Sequence, residues 1–355
     1  MPSVGPTLRL TQRFRVLFRV IDAPHDPGIA TALARSAGVD QGRVVELSAL
    51  SGARILIGVA SWTDPSMTAP GVFYPDGVSK PEARLRYYSS RYPIVEVDST
   101  YYAIPARRMA ELWTERTPDG FVFDVKAHAL MTGQPSEVGR LPKEIRDALP
   151  PDLAKKPRIY ANELPDEIRD VVWKSFLDAL DPLRDSGRLG AILMQYPRWV
   201  GPSRANAAMI EDARARLEGR RAAIEFRNKA WFDERTRPRT LALLRRNELA
   251  YVCVDSPPGF ESSVPAVAEA TSPSLAVVRF HGRNTDTWEA KVAQVNQRFR
   301  YLYDEMQLRE WLPMIRAISE QTEEVHLVFN NCYGNYATTN ALEMAGMLLE
   351  DGYGL

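Results

Sequence analysis

The sequence has few cysteines, few histidines, no excess charge and no long apolar run. Cys253 and Cys332 are the two cysteines in 355 residues, and each sits inside an apolar stretch. A single pair builds no disulfide framework, so both thiols read as small buried hydrophobes, and a reducing cytoplasmic setting is expected. No apolar run reaches the length of a membrane span, so no membrane partner is expected. The 45 basic residues balance 45 acidic ones. That balance excludes a global pull toward nucleic acid or anionic lipid, while a local basic patch stays open. HExxH, paired CxxC and Asp-rich loops are all missing, so nothing has metal-ligand spacing. No Gly-rich fingerprint follows the first strand-like run, where "GVASW" (Gly58–Trp62) stands instead.

What is present is alternation. The length suits one large domain or two ordinary ones, and 45% hydrophobic with 25% charged residues is typical of a globular chain. Eight β-like runs occur in order: "ILIGVASW", "IVEVDST", "FVFDVKAH", "LGAILMQYP", "AAIEFRN", "LAYVCVDS", "LAVVRFHGR" and "EVHLVFNN". Between them lie helical patterns such as "EARLRYYSSRY", "ARRMAELWTERT" and "RANAAMIEDARARLEG". The sixth connection, "PPGFESSVPAVAEATSP", holds at most a short helix. Strand and helix alternating eight times predict an α/β protein, a (β/α)₈ TIM barrel, with a doubly wound sheet as the alternative.

Two connections are oversized. The one after strand three, residues 131–163, reads as a lid-like insertion, and the one after strand seven carries several aromatics. Residues 1–53 are expected to be an N-terminal extension and 54–355 the barrel domain. In the extension, "GIATALARSAG" suggests a short helix. The first 21 residues carry Arg9, Arg13, Arg15 and Arg19 without an acid, and read as a basic amphipathic surface segment rather than a targeting peptide.

The stretch "VVRFHGRN" (Val277–Asn284) poses the functional question. With period-two alternation, Arg279, His281 and Arg283 share one face and Val278 and Phe280 take the other. Other strands repeat the pattern. Glu96, Asp98 and Thr100 fall on one face, as do Asp124, Lys126 and His128, and likewise Glu225 and Arg227. Gln195, Asp255, Asn330 and Asn331 end three further strands. Burying so many polar groups costs several kcal/mol each, on the order of 1–3 per unpaired group, unless they are paired. A shared polar site at the C-terminal mouth is the economical reading, and mutual ion pairing is the bland one.

Within that site, Glu225 or Asp98 with His281 is expected to supply general base and acid, and Lys126 is a further catalytic candidate. The arginines beside His281 should keep it neutral. Glu96, Tyr102, Gln195, Arg227, Trp231, Arg279, Arg283, Asn330 and Asn331 are the expected substrate contacts. His326 reads as a hydrogen-bonded core residue, and His25 carries no assignment. A divalent metal on Glu96, Asp98, Glu225, Asp255, His128 or His281 is the weaker reading, because arginines sit among the acids.

The blocks "IGVASWTDP", "RLRYYSSRYPIVEVDSTYYAIP", "WTERTPDGFVFDVKA", "LMQYP", "AIEFRNKAWF", "VVRFHGRN", "YLYDEMQLREW" and "VFNNCYGNYA" resemble, in order, the signatures of the YecE-like family, a domain of unknown function (DUF72). The resemblance spans residues 55–349 and implies a closed (β/α) barrel. It brings no reaction, substrate or cofactor. Two departures matter: Asp98 stands where many members have Asn, and "RNKAW" replaces an Arg-His-x-Ser-Trp pattern. Asn228 therefore cannot exchange protons as that histidine could.

Two functions follow as expectations. The first is an enzyme acting on a phosphorylated or otherwise anionic substrate, by phosphodiester hydrolysis or sugar-phosphate chemistry, with Lys126, Arg227, Arg279 and Arg283 binding the anion. The second is a non-catalytic module that binds nucleotide, nucleic acid or peptide on a rim of Trp62, Tyr101, Tyr102, Trp231 and Trp288. Oligomeric state is not legible.

Overall fold

All eight apolar runs form strands: β1 Arg54–Ala60, β2 Ile94–Val97, β3 Val122–Lys126, β4 Leu189–Tyr196, β5 Ala222–Phe226, β6 Ala250–Asp255, β7 Ala276–Phe280 and β8 Glu324–Phe329. The computed structural model describes residues 27–37, 44, 46–292 and 295–355. Each strand pairs in parallel with the next, and β8 returns to β1 with Val325 opposite Ile55 and Val328 opposite Gly58. The ring is closed, so the chain is a (β/α)₈ barrel. An open doubly wound sheet would leave two unpaired edges.

Side chains alternate across this wall. Ile55, Ile57, Val95, Phe123, Ile224, Val278 and Leu327 pack outward in the main core, while Leu56, Ile94 and Val122 fill the barrel interior. Burying each such side chain stabilises the fold by ~1.5–3 kcal/mol. Helices Pro81–Ser89, Arg107–Glu115, Asp166–Asp185, Arg204–Arg216, Arg237–Arg246, Leu312–Ser319 and Tyr336–Glu350 surround the strands. The Pro-rich link from β6 to β7 carries no helix, as its composition suggests.

The insertion after β3 contains a two-stranded hairpin, Ser136–Glu137 against Arg158–Ile159, and short helices. Leu141, Ile145, Leu149, Leu153 and Ile159 give it a small core of its own. In the expected extension, helix Pro27–Ala37 covers the "GIATALARSAG" stretch and lays Ile29 and Ala32 against Val72 and Tyr336. Leu47–Ser48 adds antiparallel to β1. The basic amphipathic stretch 1–21 and His25 lie outside the described residues. Among the described residues no helix is long and apolar enough to cross a membrane.

Candidate functional site

The inward positions at the C-terminal ends of β2, β3, β5, β7 and β8 converge. Arg279 on β7 is their hub, with only 1% of its side chain exposed. Its Nη1 donates to Glu225 Oε2, and its Nη2 donates to Glu96 Oε1 at 2.5 Å. β5 and β2, whose glutamates lie 54 and 183 residues from Arg279 in sequence, thereby meet through one guanidinium. Arg227, also on the β5 side, donates Nε to Glu225 Oε1. Burial alone would push the Glu225 carboxyl up, but Arg227 and Arg279 outweigh it and hold the group well below the usual carboxylate range.

His281 is sealed in the same cluster. Its Nε2 lies 3.1 Å from Arg227 Nη2 and 3.3 Å from Glu225 Oε1, and its Nδ1 lies 2.8 Å from Asn330 Nδ2. Burial, reinforced by the Arg227 charge, pushes the imidazole pKa down to about 3, so it is neutral at physiological pH. With the Asn330 amide N–H donating to Nδ1, the ring proton sits on Nε2 and points at Glu225. Turning that amide by 180° would place the proton on Nδ1 and let Nε2 accept from Arg227. Both ring nitrogens are thus engaged. His281 fixes Arg227 and Glu225 rather than facing solvent.

On the other side of Arg279, Glu96 and Asp98 form a carboxyl pair. Glu96 is 1% exposed, and burial pushes its pKa up despite the Arg279 guanidinium, with Asp98 hydrogen-bonded beside it. For Asp98 burial acts the same way, but Lys126 and Arg279 outweigh it and the net shift is downward. Lys126 Nζ stands 3.6 Å from Asp98 Oδ1 and 4.9 Å from the Tyr101 ring centre. Asp98 Oδ1 is buried and has no hydrogen-bond partner among the described residues. The surroundings thus push two adjacent carboxyls in opposite directions.

Several expected contacts lie elsewhere. Arg283 does not share the face of Arg279 and His281. β7 ends at Phe280, and Gly282 adopts φ +84°, a backbone open mainly to glycine, which breaks the alternation. Arg283 turns outward to grip Asp255 through Nε and Nη2, together with Glu310. Asp255 there also accepts from Tyr303 Oη at 2.8 Å and Trp311 Nε1 at 2.7 Å. Asn331 is likewise outward, donating to Tyr301 O and Asn340 Oδ1. Trp231 is buried, stacked on Phe226 with its Nε1 on Val200 O. Gln195 is half-buried on the inner register opposite Glu225, and Tyr102 is exposed at the rim near Arg140.

Two site features, Ser61 and Arg298, escaped the sequence reading, and Trp288, expected on a stacking rim, meets Arg227 instead. Ser61, at the C-terminal end of β1, has φ +80° and is the non-glycine residue with positive φ at the mouth among the described residues. Such a conformation costs on the order of 1–3 kcal/mol and recurs at functional sites. Arg298 brings a second cation toward Arg227, its Nε buried and unpartnered among the described residues, and Trp288 offers its ring to Arg227 at 5.3 Å. Only the aromatic density of the loop after β7 hinted at these. At the opposite end of the barrel, His326 bonds Asp124 at 2.8 Å and Glu324 at 2.9 Å.

Among the described residues no group of three His, Cys, Asp or Glu side chains is arranged to hold a metal ion. The carboxylates of the mouth are interleaved with Arg and Lys instead.

A sequence profile described as "Protein of unknown function DUF72" matches residues 56–353. The chain is 29% identical over 297 residues to the UPF0759 protein YunF of Bacillus subtilis, covering 83% of this chain and 94% of that one. A crystal structure of a DUF72 family protein from Thermotoga maritima is similar at 28% identity and TM-score 0.64, over 83% of this chain and 99% of that chain. One from Enterococcus faecalis is similar at 27% identity and TM-score 0.66, over 83% and 95%. The chain belongs to the DUF72 family.

Proposed function

We propose that this DUF72 barrel is an enzyme that moves a proton on a small phosphorylated or otherwise anionic substrate at the C-terminal mouth. The observation that carries the reading is the Glu96–Asp98 carboxyl pair at the mouth, with Lys126 Nζ 3.6 Å from Asp98 and the two carboxyls pushed in opposite directions, Glu96 upward by burial and Asp98 downward by Lys126 and Arg279. Asp98 is the general base, Glu96 returns or shares the proton, and Lys126 stabilises the charge that develops. Arg227 supplies the anion contact. Its Nε is held by Glu225 and its Nη2 lies 3.1 Å from His281 Nε2, while Nη1 makes no hydrogen bond among the described residues and the side chain is 15% exposed. Arg279 and Arg283 are already consumed by carboxylates, so the anion falls to Arg227 with Arg298 behind it.

Glu225 and His281 are positioning groups in this scheme. A hydrogen-bonded neutral imidazole with a pKa near 3 is a poor proton acceptor at neutral pH. Sugar-phosphate isomerase or lyase chemistry, which moves a substrate proton, suits a carboxyl pair beside a lysine. The non-catalytic alternative loses most of its stacking rim, since Trp62, Trp231 and Trp288 are buried.

The test is a panel of sugar phosphates and phosphodiesters, with and without divalent metals. Turnover should fall by ~10²–10⁴ in Asp98→Asn, the usual range for a lost general base. Arg227→Gln should raise KM for the phosphorylated substrates. No turnover by wild-type protein on any compound, together with no protection of the fold by inorganic phosphate, would discard the reading.

A further inference from the structure

A cavity of about 720 Å³ opens away from the charged cluster of the mouth, between the insertion after β3, helices Asp166–Asp185 and Arg204–Arg216, and the chain that leaves β4. Three aromatic side chains stand on its walls. Trp199 is 59% exposed, Tyr160 is exposed as well, and Trp173 is half-buried with the Arg216 guanidinium 5.8 Å from its ring centre. Single exposed rings need no explanation, but rings gathered on one concave wall mark a binding surface.

The charges on these walls are already matched. Glu163 holds Lys156 at 2.6 Å, Asp212 holds Arg216 at 2.8 Å, Arg216 also reaches Asp170 at 2.6 Å, and Arg169 pairs with Asp166. Glu163 and Asp212 against Arg169 and Arg216 leave the lining without net charge. What stays free is neutral. The indole N–H groups of Trp173 and Trp199, the Asn162 amide and Asn206 Oδ1 have no hydrogen-bond partner among the described residues, and none of them is sealed from solvent. Asn206 is fixed in place by its Nδ2, which donates to Gly201 O at 2.7 Å. A ligand for such walls is uncharged, carries several groups that both donate and accept, and has flat C–H faces for the rings.

We propose that this groove binds a short neutral oligosaccharide, one pyranose face against Trp199 and hydroxyls on Asn162, Asn206 and the Trp173 N–H. A sugar hydroxyl can donate to Asn206 Oδ1 and accept from an indole N–H, so one kind of group satisfies both. The axial C–H bonds of an equatorially substituted pyranose present a positive, apolar face to the negative face of an indole. A nucleotide would bring a phosphate that finds no unmatched cation here. The volume lies within the usual range of ligand sites, ~300–1,000 Å³, with room for a few pyranose rings. No residue assigned to proton transfer or to the anion contact lines the groove, so this inference and the proposed function can fail separately.

The probe is cellotriose, titrated against the full chain by calorimetry and tryptophan fluorescence, with adenine as a flat comparator that has no hydroxyls. Cellotriose should bind, shift the indole emission, and keep its affinity as salt is raised, because no charge takes part. Trp199→Ala should weaken binding about tenfold, the scale of a lost aromatic contact, and Trp199→Phe should restore most of it. Asn162→Ala should cost about threefold, one neutral hydrogen bond at a wet rim. Both side chains are exposed, so the unfolding midpoint should not move in any of these variants. No binding of cellotriose at millimolar concentration, an affinity indifferent to Trp199→Ala, or tighter binding of adenine than of cellotriose would overturn the proposal.

Discussion

The barrel carries a charged cluster at each end, each with a histidine, and the two histidines are in opposite states. At the N-terminal floor, His326 lies between Asp124 and Glu324, while Arg54 and Arg221 reach Glu324 from the solvent side. Burial works against its charge, but the two carboxylates prevail and raise the imidazole pKa to about 9. At the mouth, His281 meets a single carboxylate already claimed by two arginines, and its pKa falls to about 3. Burial is common to both sites, so the neighbours decide the charge. The floor is closed: the free oxygen of Asp124 is walled off at Gly190, where any side chain would collide with it. At the mouth, the Asp98 side chain is 30% exposed and lines a cavity. Barrel floors commonly serve stability and mouths chemistry, the division that the proposed function assigns to these two clusters.

The sharpest way to break the comparison is to remove the hub of the mouth. Arg279→Met leaves Glu225 and Glu96 facing each other, buried and without their cation. Loss of one partner from a buried ion set costs ~3–5 kcal/mol, and chemical denaturation should show it. If that variant does not fold, Arg279→Met combined with Glu96→Gln should recover part of the loss, because Glu225 keeps Arg227 and no second carboxylate faces it. A single substitution that costs under about 1 kcal/mol would mean that the hub is not what holds the mouth together.

How much of this was legible beforehand depends on what kind of regularity each part obeys. The barrel was, because eight apolar runs separated by helical patterns encode alternation locally. Closure brings the inner faces together, so Glu96, Asp98, Lys126, Glu225, Arg227, Arg279, His281 and Asn330 could be placed from strand parity alone. Parity fails where a strand ends. Arg283 lies past Gly282 and Asn331 past the end of β8, and both turned outward. Trp231 follows β5 on a short 3₁₀ turn that returns it to the core. The charge states of Glu96 and His326 depend on neighbours from distant strands, which no local pattern carries. "EVHLVFNN" looks like a plain apolar strand, yet it holds an imidazolium.

The second test sets the two histidines against pH. A His326 pKa raised from 6.5 to about 9 gives stability that is present in full below pH 6.5 and lost as pH climbs through 9. The amount is on the order of 3 kcal/mol by linkage. For His281 the direction reverses: its contribution is present above 6.5 and is lost as pH falls toward 3. Unfolding free energy measured from pH 5 to 10 should therefore flatten on the alkaline side in His326→Gln and keep its acid slope. His281→Asn should do the opposite. If both variants track wild type across the range, neither ring holds the charge assigned to it.

The smallest expected effect sharpens the contrast between inside and outside the ring. Arg283 grips Asp255 with two nitrogens, as Arg279 grips its two carboxylates with two, but it is 25% exposed and Asp255 has Tyr303 and Trp311 as well. Arg283→Lys keeps the charge and loses the fork. Water can reach the gap, and two neutral donors still satisfy Asp255, so the loss should be about 1 kcal/mol. The corresponding Arg279→Lys, dry and without substitute donors, should lose clearly more. Equal losses at the two positions would show that the count of hydrogen bonds, and not enclosure by the strands, sets the strength of these pairs. The mouth would then have no special claim to chemistry over the outer wall.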